Sequence, residues 1–458
     1  MNIVAPLLCV AFIAVTAILL YKKYNPQGVL IASGLLMISF AAAMGIHPIA
    51  VTKQTGSAVF DVISIINENF ISNLSRAGLM IMTIGGYVAF MNKIKATDAL
   101  VFIAIKPLAF LKKYPYLASV LAIPIGQLLF ITTPSAAGLG LLLVASLYPV
   151  LVNLGVSRLT ALSVISAATI FDQGPGSANT ALAAELIGKT NVEYFLTHQF
   201  PLVIPTSLFI MVVYYFSNRY YDKKDLAQGK KDVYGEKIDE NVKPEVPLIF
   251  AVLPLLPLTL LIVFSEYTGL FTIKLSTTVA MLISLIISFL FILGYKKDLR
   301  AVFDLLKSFW NGMGNVFSTV VTLIVAAEIF SRGLINLGFI DCLVYGCTHI
   351  GFSGVAISVF ITLILFLAAM LMGSGNAAFF SFGPLMPDIA GKLGMQSYQM
   401  ILPMQLSSSM GRAASPIAGI IVAIAGVAGV SPVDLVRRNV IPLFAGVCFL
   451  MLYHFIFL

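Results

Sequence analysis

Charged residues are scarce in this chain of 458 residues: only 10% are Asp, Glu, Lys or Arg, whereas 59% are hydrophobic. An ordinary soluble domain carries about 25% charged residues, so this composition excludes that class of protein. Apolar runs recur along the whole length, and each approaches the roughly 17 to 25 residues that cross a bilayer as a helix. The sequence therefore predicts an all-α polytopic membrane protein that is surrounded by lipid and has no sizeable soluble domain.

Cysteine and histidine are also rare, with four residues of each kind. The cysteines, at positions 9, 342, 347 and 448, have no spacing typical of a metal site or a disulfide framework. No ATP-binding motif of the Walker type occurs either, so we expect neither a cofactor nor a resident metal. The net charge of +8 would favour a nucleic-acid partner in a soluble protein. In a membrane protein it indicates basic cytoplasmic loops, and we expect no nucleic acid to bind.

The sequence contains an internal repeat. The tetrapeptide AVFD occurs at Ala58–Asp61 and again at Ala301–Asp304, and further landmarks follow at nearly the same spacing. Several landmarks at one spacing indicate two copies of one fold. We predict a first transmembrane repeat over residues 1–217, a charged cytoplasmic linker over 218–246 and a second transmembrane repeat over 247–458.

The distribution of basic residues predicts how the two repeats are oriented. Each repeat is predicted to have five spans, a re-entrant hairpin and an interrupted helix, and an odd number of crossings inverts the second repeat. With the N-terminus outside, most of the 28 lysines and arginines fall in inner loops, as the positive-inside rule requires. The predicted fold class is therefore an inverted repeat with both termini on the outer side, which is periplasmic in a bacterium with two membranes.

Four short polar patches interrupt the apolar runs. Two are predicted hairpin tips near 132–138 and 372–376, and two are predicted helix interruptions near 172–180 and 407–416. Unwound backbone is tolerated in a bilayer only where it is buried in protein or lines a cavity. One Gly/Ser patch would indicate helix packing, but four at repeat-related positions are typical of a transporter's midplane site. Helix N-termini at such a site favour an anionic substrate, and freed carbonyls can bind a cation.

Arg412 lies within the second predicted interruption. Inserting a guanidinium into the membrane costs at least about 2.5 kcal/mol, so we expect Arg412 to have an ion-pair partner or a functional role. Its planar fork matches a substrate carboxylate. Asp172, at nearly the repeat-related position, is an alternative partner in a permanent ion pair, and it is also a candidate for a coupling proton. Other candidates for a coupling ion, either Na⁺ or H⁺, are Thr133, Gly373 and Ser408.

Several longer motifs resemble one known family. The strings "SRAGLMIMTIGGYVAFM", "MGSGNAAFFSF" and "GRAASPIAGIIVAIAGVAGVSP" are similar to those of the anaerobic four-carbon dicarboxylate carriers of the DcuC/DcuD type, in the ion transporter superfamily. The resemblance extends from about residue 20 to the end of the chain. It implies a bacterial inner-membrane carrier of succinate, fumarate or malate that works by uptake, exchange or efflux.

The resemblance also implies a mechanism and a set of site residues. Relatives in the superfamily are often homodimers that move a transport domain past a scaffold, which is an elevator form of alternating access. Their hairpin tips and helix interruptions bind substrate and cation. Carried over, this assigns substrate binding to Ser135, Asn179, Ser374, Asn376 and Ser415, together with Arg412.

Other functions stay open at this point. Within the same class, the alternative is a carrier of another organic anion, and a passive channel is disfavoured because broken helices around a discrete site suit alternating access. The alternative from another class is an intramembrane serine hydrolase with Ser374 as nucleophile. That chemistry needs a base within hydrogen-bond reach, and the first repeat has no histidine at its tip.

Overall fold

The computed structural model describes residues 4–111, 113–229, 233–234, 244–265, 271–349 and 351–458, which are helical almost throughout and contain no strand. The first part folds into α1 (Val4–Tyr21), α2 (Pro26–Ala43), α3 (Ala58–Asn73), α4 (Leu79–Lys93), α5 (Ala96–Ile105), α6 (Pro115–Thr132), α7 (Ala136–Asn153), α8 (Arg158–Ala167), α9 (Ala178–Leu186), α10 (Asn191–Tyr194) and α11 (Phe200–Ala227). The second part folds into α12 (Leu256–Val263), α13 (Thr277–Lys296), α14 (Leu299–Val316), α15 (Thr322–Asn336), α16 (Phe339–His349), α17 (Gly354–Met372), α18 (Gly375–Phe382), α19 (Met386–Lys392), α20 (Ser397–Ala413), α21 (Gly419–Ala428) and α22 (Pro432–Phe457).

Eight helices in the described ranges are long and apolar enough to cross a membrane, and shorter apolar helices lie between them. Lipid offers no partner for backbone N–H and C=O groups, and a helix satisfies these groups internally. This confirms the predicted all-α polytopic membrane protein. The inverted orientation of the repeats stays a prediction.

The helices form two bundles that share one seam. Bundle A consists of α1–α4 and α12–α15; bundle B consists of α6–α11 and α17–α22. Glycine brings the helices of bundle A together: a Cβ on Gly34 of α2 would lie 2.6 Å from the carbonyl oxygen of Ile329 in α15. In bundle B, a Cβ on Gly411 of α20 would lie 2.3 Å from the carbonyl oxygen of Phe366 in α17. Small residues thus allow the backbones of neighbouring helices to approach closely. Such close packing drives helix association in a membrane, where the hydrophobic effect does not.

The order of elements recurs along the chain. The helices α3 and α4 are continuous through a π-turn at Leu74–Gly78, and α14 and α15 are continuous through a π-turn at Phe317–Val321. A helical hairpin follows in each part, α6–α7 and then α17–α18, and next an interrupted helix, α8–α9 and then α20–α21. The boundaries that we predict for the two repeats stay predictions.

The helix α11 runs to Ala227, so residues 218–227 of the predicted linker are helical. Asp222 and Asp225 on this stretch are buried, and both form ion pairs with Arg438 near the start of α22. A buried charge needs a partner, which explains why the helix continues. Most of the remaining predicted linker, residues 230–232 and 235–243, lies outside the described residues.

Candidate functional site

The first helix interruption, which we call break one, covers residues 168–177, between α8 and α9. Ser177 caps α9: its Oγ accepts from the backbone N–H groups of Asn179 and Thr180 at 3.1 and 3.2 Å. The same hydroxyl donates to Asp172 Oδ1 at 2.6 Å, and Asn179 Nδ2 donates to Asp172 Oδ2 at 3.1 Å. Both oxygens of this carboxylate are therefore hydrogen-bonded within break one and the first turn of α9.

Three amide side chains hold break one against its surroundings. Gln199 Oε1 accepts from the backbone N–H of Gly174 at 3.2 Å, and Asn191 Nδ2 donates to the carbonyl oxygen of Pro175 at 3.0 Å. Gln405 of α20 donates its Nε2 to the carbonyl oxygen of Asp172 at 3.1 Å. Buried backbone groups without regular structure need such partners, so these amides make the break possible.

The second interruption, break two, covers residues 414–418, between α20 and α21. The predicted interruption began earlier, near 407, but α20 stays helical through Ala413. Ser408 and Arg412 therefore lie on a helix, and Ser408 Oγ donates to the carbonyl oxygen of Gln405 at 2.8 Å. Asn439 of α22 donates its Nδ2 to the carbonyl oxygen of Ala413 at 2.9 Å and thereby braces the end of α20.

Arg412 connects the two breaks. Its Nη2 donates to the carbonyl oxygen of Thr169 in break one at 2.6 Å. Among the described atoms, no ion pair joins Arg412 to Asp172. A second link joins Asn179 Nδ2 to Ser409 Oγ at 3.5 Å. Asp172, Asn179 and Arg412 thus belong to one cluster, in which Asp172 and Asn179 are buried and Arg412 is half-buried.

The hairpin tips are where the sequence predicts them. Ser135 caps α7, and its Oγ accepts from the backbone N–H of Gly138 at 3.3 Å. Ser374 caps α18, and its Oγ accepts from the backbone N–H of Ala377 at 3.2 Å. Gly373 closes α17 in a left-handed conformation with φ of 71°, which glycine adopts without strain.

Each tip touches the interrupted helix that follows it in sequence. A Cβ on Gly174 would lie 2.7 Å from the side chain of Ile131, close to the first tip. A Cβ on Gly375 would lie 2.8 Å from the carbonyl oxygen of Ser408, and one on Gly373 would lie 3.1 Å from Ile417 in break two. The second tip therefore borders both α20 and break two.

Two cavities on the seam between the bundles reach the tips. One of about 480 Å³ is lined by Thr133 and Gly138 of the first tip and by Lys95. The other, of about 370 Å³, is lined by Ser374 of the second tip with Gln27 and Lys23. Among the described residues, no hydrogen bond joins Ser135, Ser374 or Asn376 to Arg412, so the structure brings these candidates only to the neighbourhood of the cluster.

Four buried polar atoms of the two breaks and their flanks have no hydrogen-bond partner within the described part of the chain: Gln173 Oε1, Asn179 Oδ1, Arg412 Nε and Ser415 Oγ. Nearly all buried polar groups in proteins are paired, so each exception needs an explanation. The first two atoms are acceptors, Arg412 Nε is a donor, and the Ser415 hydroxyl can donate. Open acceptors suit a cation, and open donors suit an anion.

Sequence reasoning missed the amides that brace the breaks. Gln199 donates to Gln405 Oε1 at 3.1 Å, which also accepts from Tyr194. Asn439 donates to Ser166 Oγ at 2.8 Å in addition to its bond to Ala413. The only sequence signal is weak: Gln199 lies two residues before Pro201, and Asn439 lies three residues before Pro442.

Known proteins resemble this chain over nearly its full length. The model of the family "DcuC: C4-dicarboxylate anaerobic carrier" matches residues 5–458. The anaerobic C4-dicarboxylate transporter DcuC of Escherichia coli K12 is 32% identical over 432 residues, which cover 93% of this chain and 90% of that protein. A probable anaerobic C4-dicarboxylate transporter DcuC of Vibrio cholerae is 32% identical over 429 residues, with 93% and 92% covered.

Solved structures with the same fold are more distant in sequence. MtrF of Neisseria gonorrhoeae, described as illuminating a class of antimetabolite efflux pumps, matches with a TM-score of 0.59 at 12% identity, covering 94% of this chain and 96% of that one. The YdaH transporter of Alcanivorax borkumensis matches with a TM-score of 0.58 at 15% identity, covering 94% and 98%. At these identities the likeness shows the helical transporter fold alone.

Proposed function

Because this chain belongs to the DcuC family of anaerobic C4-dicarboxylate carriers, we propose that it moves succinate, fumarate or malate across the bacterial inner membrane, with Arg412 and Ser415 binding a substrate carboxylate. As a member of a carrier family the chain is not an enzyme, so the serine hydrolase alternative is wrong. Ser374 is instead the cap of α18.

The observation that carries the proposal is the pair of unpaired groups at break two. Arg412 Nε and Ser415 Oγ are buried without partners, and they lie on either side of the end of α20. A carboxylate can accept from both groups, and charge-assisted hydrogen bonds are stronger than neutral ones. The Arg412 Nη2 bond to Thr169 fixes the guanidinium, so less side-chain entropy is lost on binding.

Break one has open acceptors where break two has open donors, and this supports a role of break one in binding a coupling ion. The unpaired Oδ1 of Asn179 and Oε1 of Gln173 are acceptors beside the buried carboxylate of Asp172. Oxygen atoms of this kind bind hard cations. We propose that a coupling Na⁺ or H⁺ binds at break one. We also propose that Thr133, Gly373 and Ser408 do not contact this ion directly.

The transport cycle that we propose is alternating access of the elevator type, in a homodimer with both termini in the periplasm. Bundle B contains both breaks and both hairpins, whereas bundle A contains neither. Bundle B is therefore the unit that carries the substrate, and bundle A is the scaffold along which it moves.

Uptake of labelled succinate into proteoliposomes tests the function. Inward Na⁺ and H⁺ gradients are imposed in turn on vesicles that contain wild type, Arg412→Gln or the control Arg437→Gln, which removes an exposed arginine from α22. We expect saturable uptake by wild type and by the control. Arg412→Gln should lower uptake at subsaturating succinate about 30-fold or more, since losing a buried charged partner costs about 2 kcal/mol or more.

Uptake by Arg412→Gln equal to that of wild type would contradict the assigned role of Arg412. If wild type instead takes up a larger organic anion and no succinate, the substrate belongs to another class of organic anion. The gradient that drives uptake identifies the coupling ion. Exchange of internal labelled for external unlabelled substrate distinguishes a carrier from a passive channel.

A further inference from the structure

A cavity of about 520 Å³ lies on the seam between the two bundles, away from both hairpin tips. Residues of α3 and α15 line it on the side of bundle A. The end of α9 and Pro384 line it on the side of bundle B. None of the residues proposed above for substrate or coupling ion belongs to its lining.

Acidic side chains dominate the charge of this cavity. Glu68, Glu185 and Glu328 line it together with a single guanidinium, that of Arg332. Glu328 and Arg332 are four residues apart on α15, a spacing that favours an ion pair between them. In the structure Glu328 accepts from Asn73 Nδ2, and Arg332 donates to the carbonyl oxygen of Ala50 at 2.7 Å.

Two further features of the lining favour a positive ligand. Ser331 Oγ is buried, with the residue only 2% exposed, and it has no hydrogen-bond partner among the described residues. Its lone pairs are therefore available to a ligand in the cavity. The C-terminal end of α9, at Glu185 and Leu186, adds the negative end of a helix dipole.

We propose that this cavity binds a hydrated monovalent cation between the two bundles, at a site separate from the Arg412 cluster. The lining supplies carboxylate, amide and hydroxyl oxygens, which are the ligands of hard cations. Acidic walls in a cleft also concentrate counter-ions.

The cation retains its hydration shell because the acidic side chains are too far apart to coordinate one ion together. Among the described residues, no group of three or more Asp, Glu, His or Cys side chains is close enough to bind a metal ion directly. The cavity is also many times larger than the roughly 30 Å³ share of one water molecule. Such a site attracts monovalent ions through its field without the compact ligand set that a divalent ion requires.

The thermal stability of the purified carrier, in detergent and without any dicarboxylate, tests this site. NaCl is titrated against N-methylglucamine chloride at constant ionic strength, so that only the small cation varies. We expect the unfolding midpoint of wild type to rise saturably with Na⁺. Glu328→Gln, Glu185→Gln and Ser331→Ala should raise the half-saturating Na⁺ concentration, by about fivefold for each lost carboxylate.

Asp304→Asn is the matched control, because Asp304 is an exposed acid on α14 that pairs with Lys307. The half-saturating Na⁺ concentration of Asp304→Asn should equal that of wild type. The proposal is wrong if wild type shows no saturable response, if only Mg²⁺ produces one, or if Glu185→Gln and Ser331→Ala both respond like wild type. The last two variants keep the test valid if Glu328→Gln does not fold.

Gln173→Ala separates this site from the coupling-ion site proposed at break one, because it removes an open acceptor of break one and leaves the lining of the cavity unchanged. We expect this variant to retain the Na⁺ response of the cavity. Loss of the Na⁺ response in Gln173→Ala would place the cation at break one and overturn the separate site. Failure of succinate transport alone would leave the Na⁺ result standing, since the assay contains no substrate.

Discussion

The two helix breaks differ in which polar groups they leave open. In break one, both oxygens of Asp172 are hydrogen-bonded, and the unpaired atoms of Gln173 and Asn179 are acceptors. At break two, the unpaired groups are the donor Arg412 Nε and the hydroxyl of Ser415. The two breaks thus leave open polar groups of opposite character, acceptors in break one and donors at break two. We infer that break one, whose backbone is held by side-chain hydrogen bonds, binds a cation. We infer that break two binds an anion through its unpaired donors.

The largest effect that we predict is on break one. Asp172→Ala removes the carboxylate that accepts from Ser177 Oγ and Asn179 Nδ2, both fully buried. These donors keep only long contacts of 3.5 Å, to the carbonyl oxygen of residue 172 and to Ser409 Oγ. A buried group that loses its good partner costs about 1 to 3 kcal/mol, so we expect a loss of about 3 kcal/mol in the free energy of unfolding. Thermal unfolding in detergent measures this loss of stability. Asp172→Asn retains one acceptor, so its unfolding midpoint should lie between those of wild type and Asp172→Ala.

A smaller effect tests the contact between the second tip and α20. A Cβ at Gly375 would lie 2.8 Å from the carbonyl oxygen of Ser408, which is backbone and cannot easily move. We expect Gly375→Ala to cost about 1 to 3 kcal/mol of stability through overpacking. Gly419→Ala is the control, because a Cβ there meets no atom within 4 Å. Equal unfolding midpoints for the two variants would contradict the close approach of tip and helix.

The sequence predicted the broken elements because their signals are local. Gly373 and Ser374 interrupt an apolar run, and Asp172 to Thr180 cannot continue a lipid-facing helix. The structure has a gap between two helices within each predicted tip range, whereas break one, at residues 168–177, begins four residues and ends three residues before its predicted range of 172–180. Break two was placed too early, because "QLSSSMGR" contains polar residues that a helix buried in protein tolerates.

Residues that act through distant partners were harder to predict. Arg438 is buried in ion pairs with Asp222 and Asp225. Nothing in the local sequence pairs these residues, which are more than 200 positions apart along the chain. Gln199 and Asn439 escaped notice for the same reason, since their bonds to Gln405 and Ala413 depend on how the helices pack.

Equilibrium binding of labelled succinate to the purified carrier tests most directly whether break two binds the dicarboxylate. Ser415→Ala removes an unpaired hydroxyl and should leave the unfolding midpoint unchanged while it raises the succinate Kd about tenfold, the value of one hydrogen bond to a charged group. Ser407→Ala is the matched control, because Ser407 Oγ already donates to the carbonyl oxygens of Thr362 and Met404. It should keep the wild-type Kd. A Kd for Ser415→Ala equal to that of wild type, or raised no more than that of Ser407→Ala, would contradict the account.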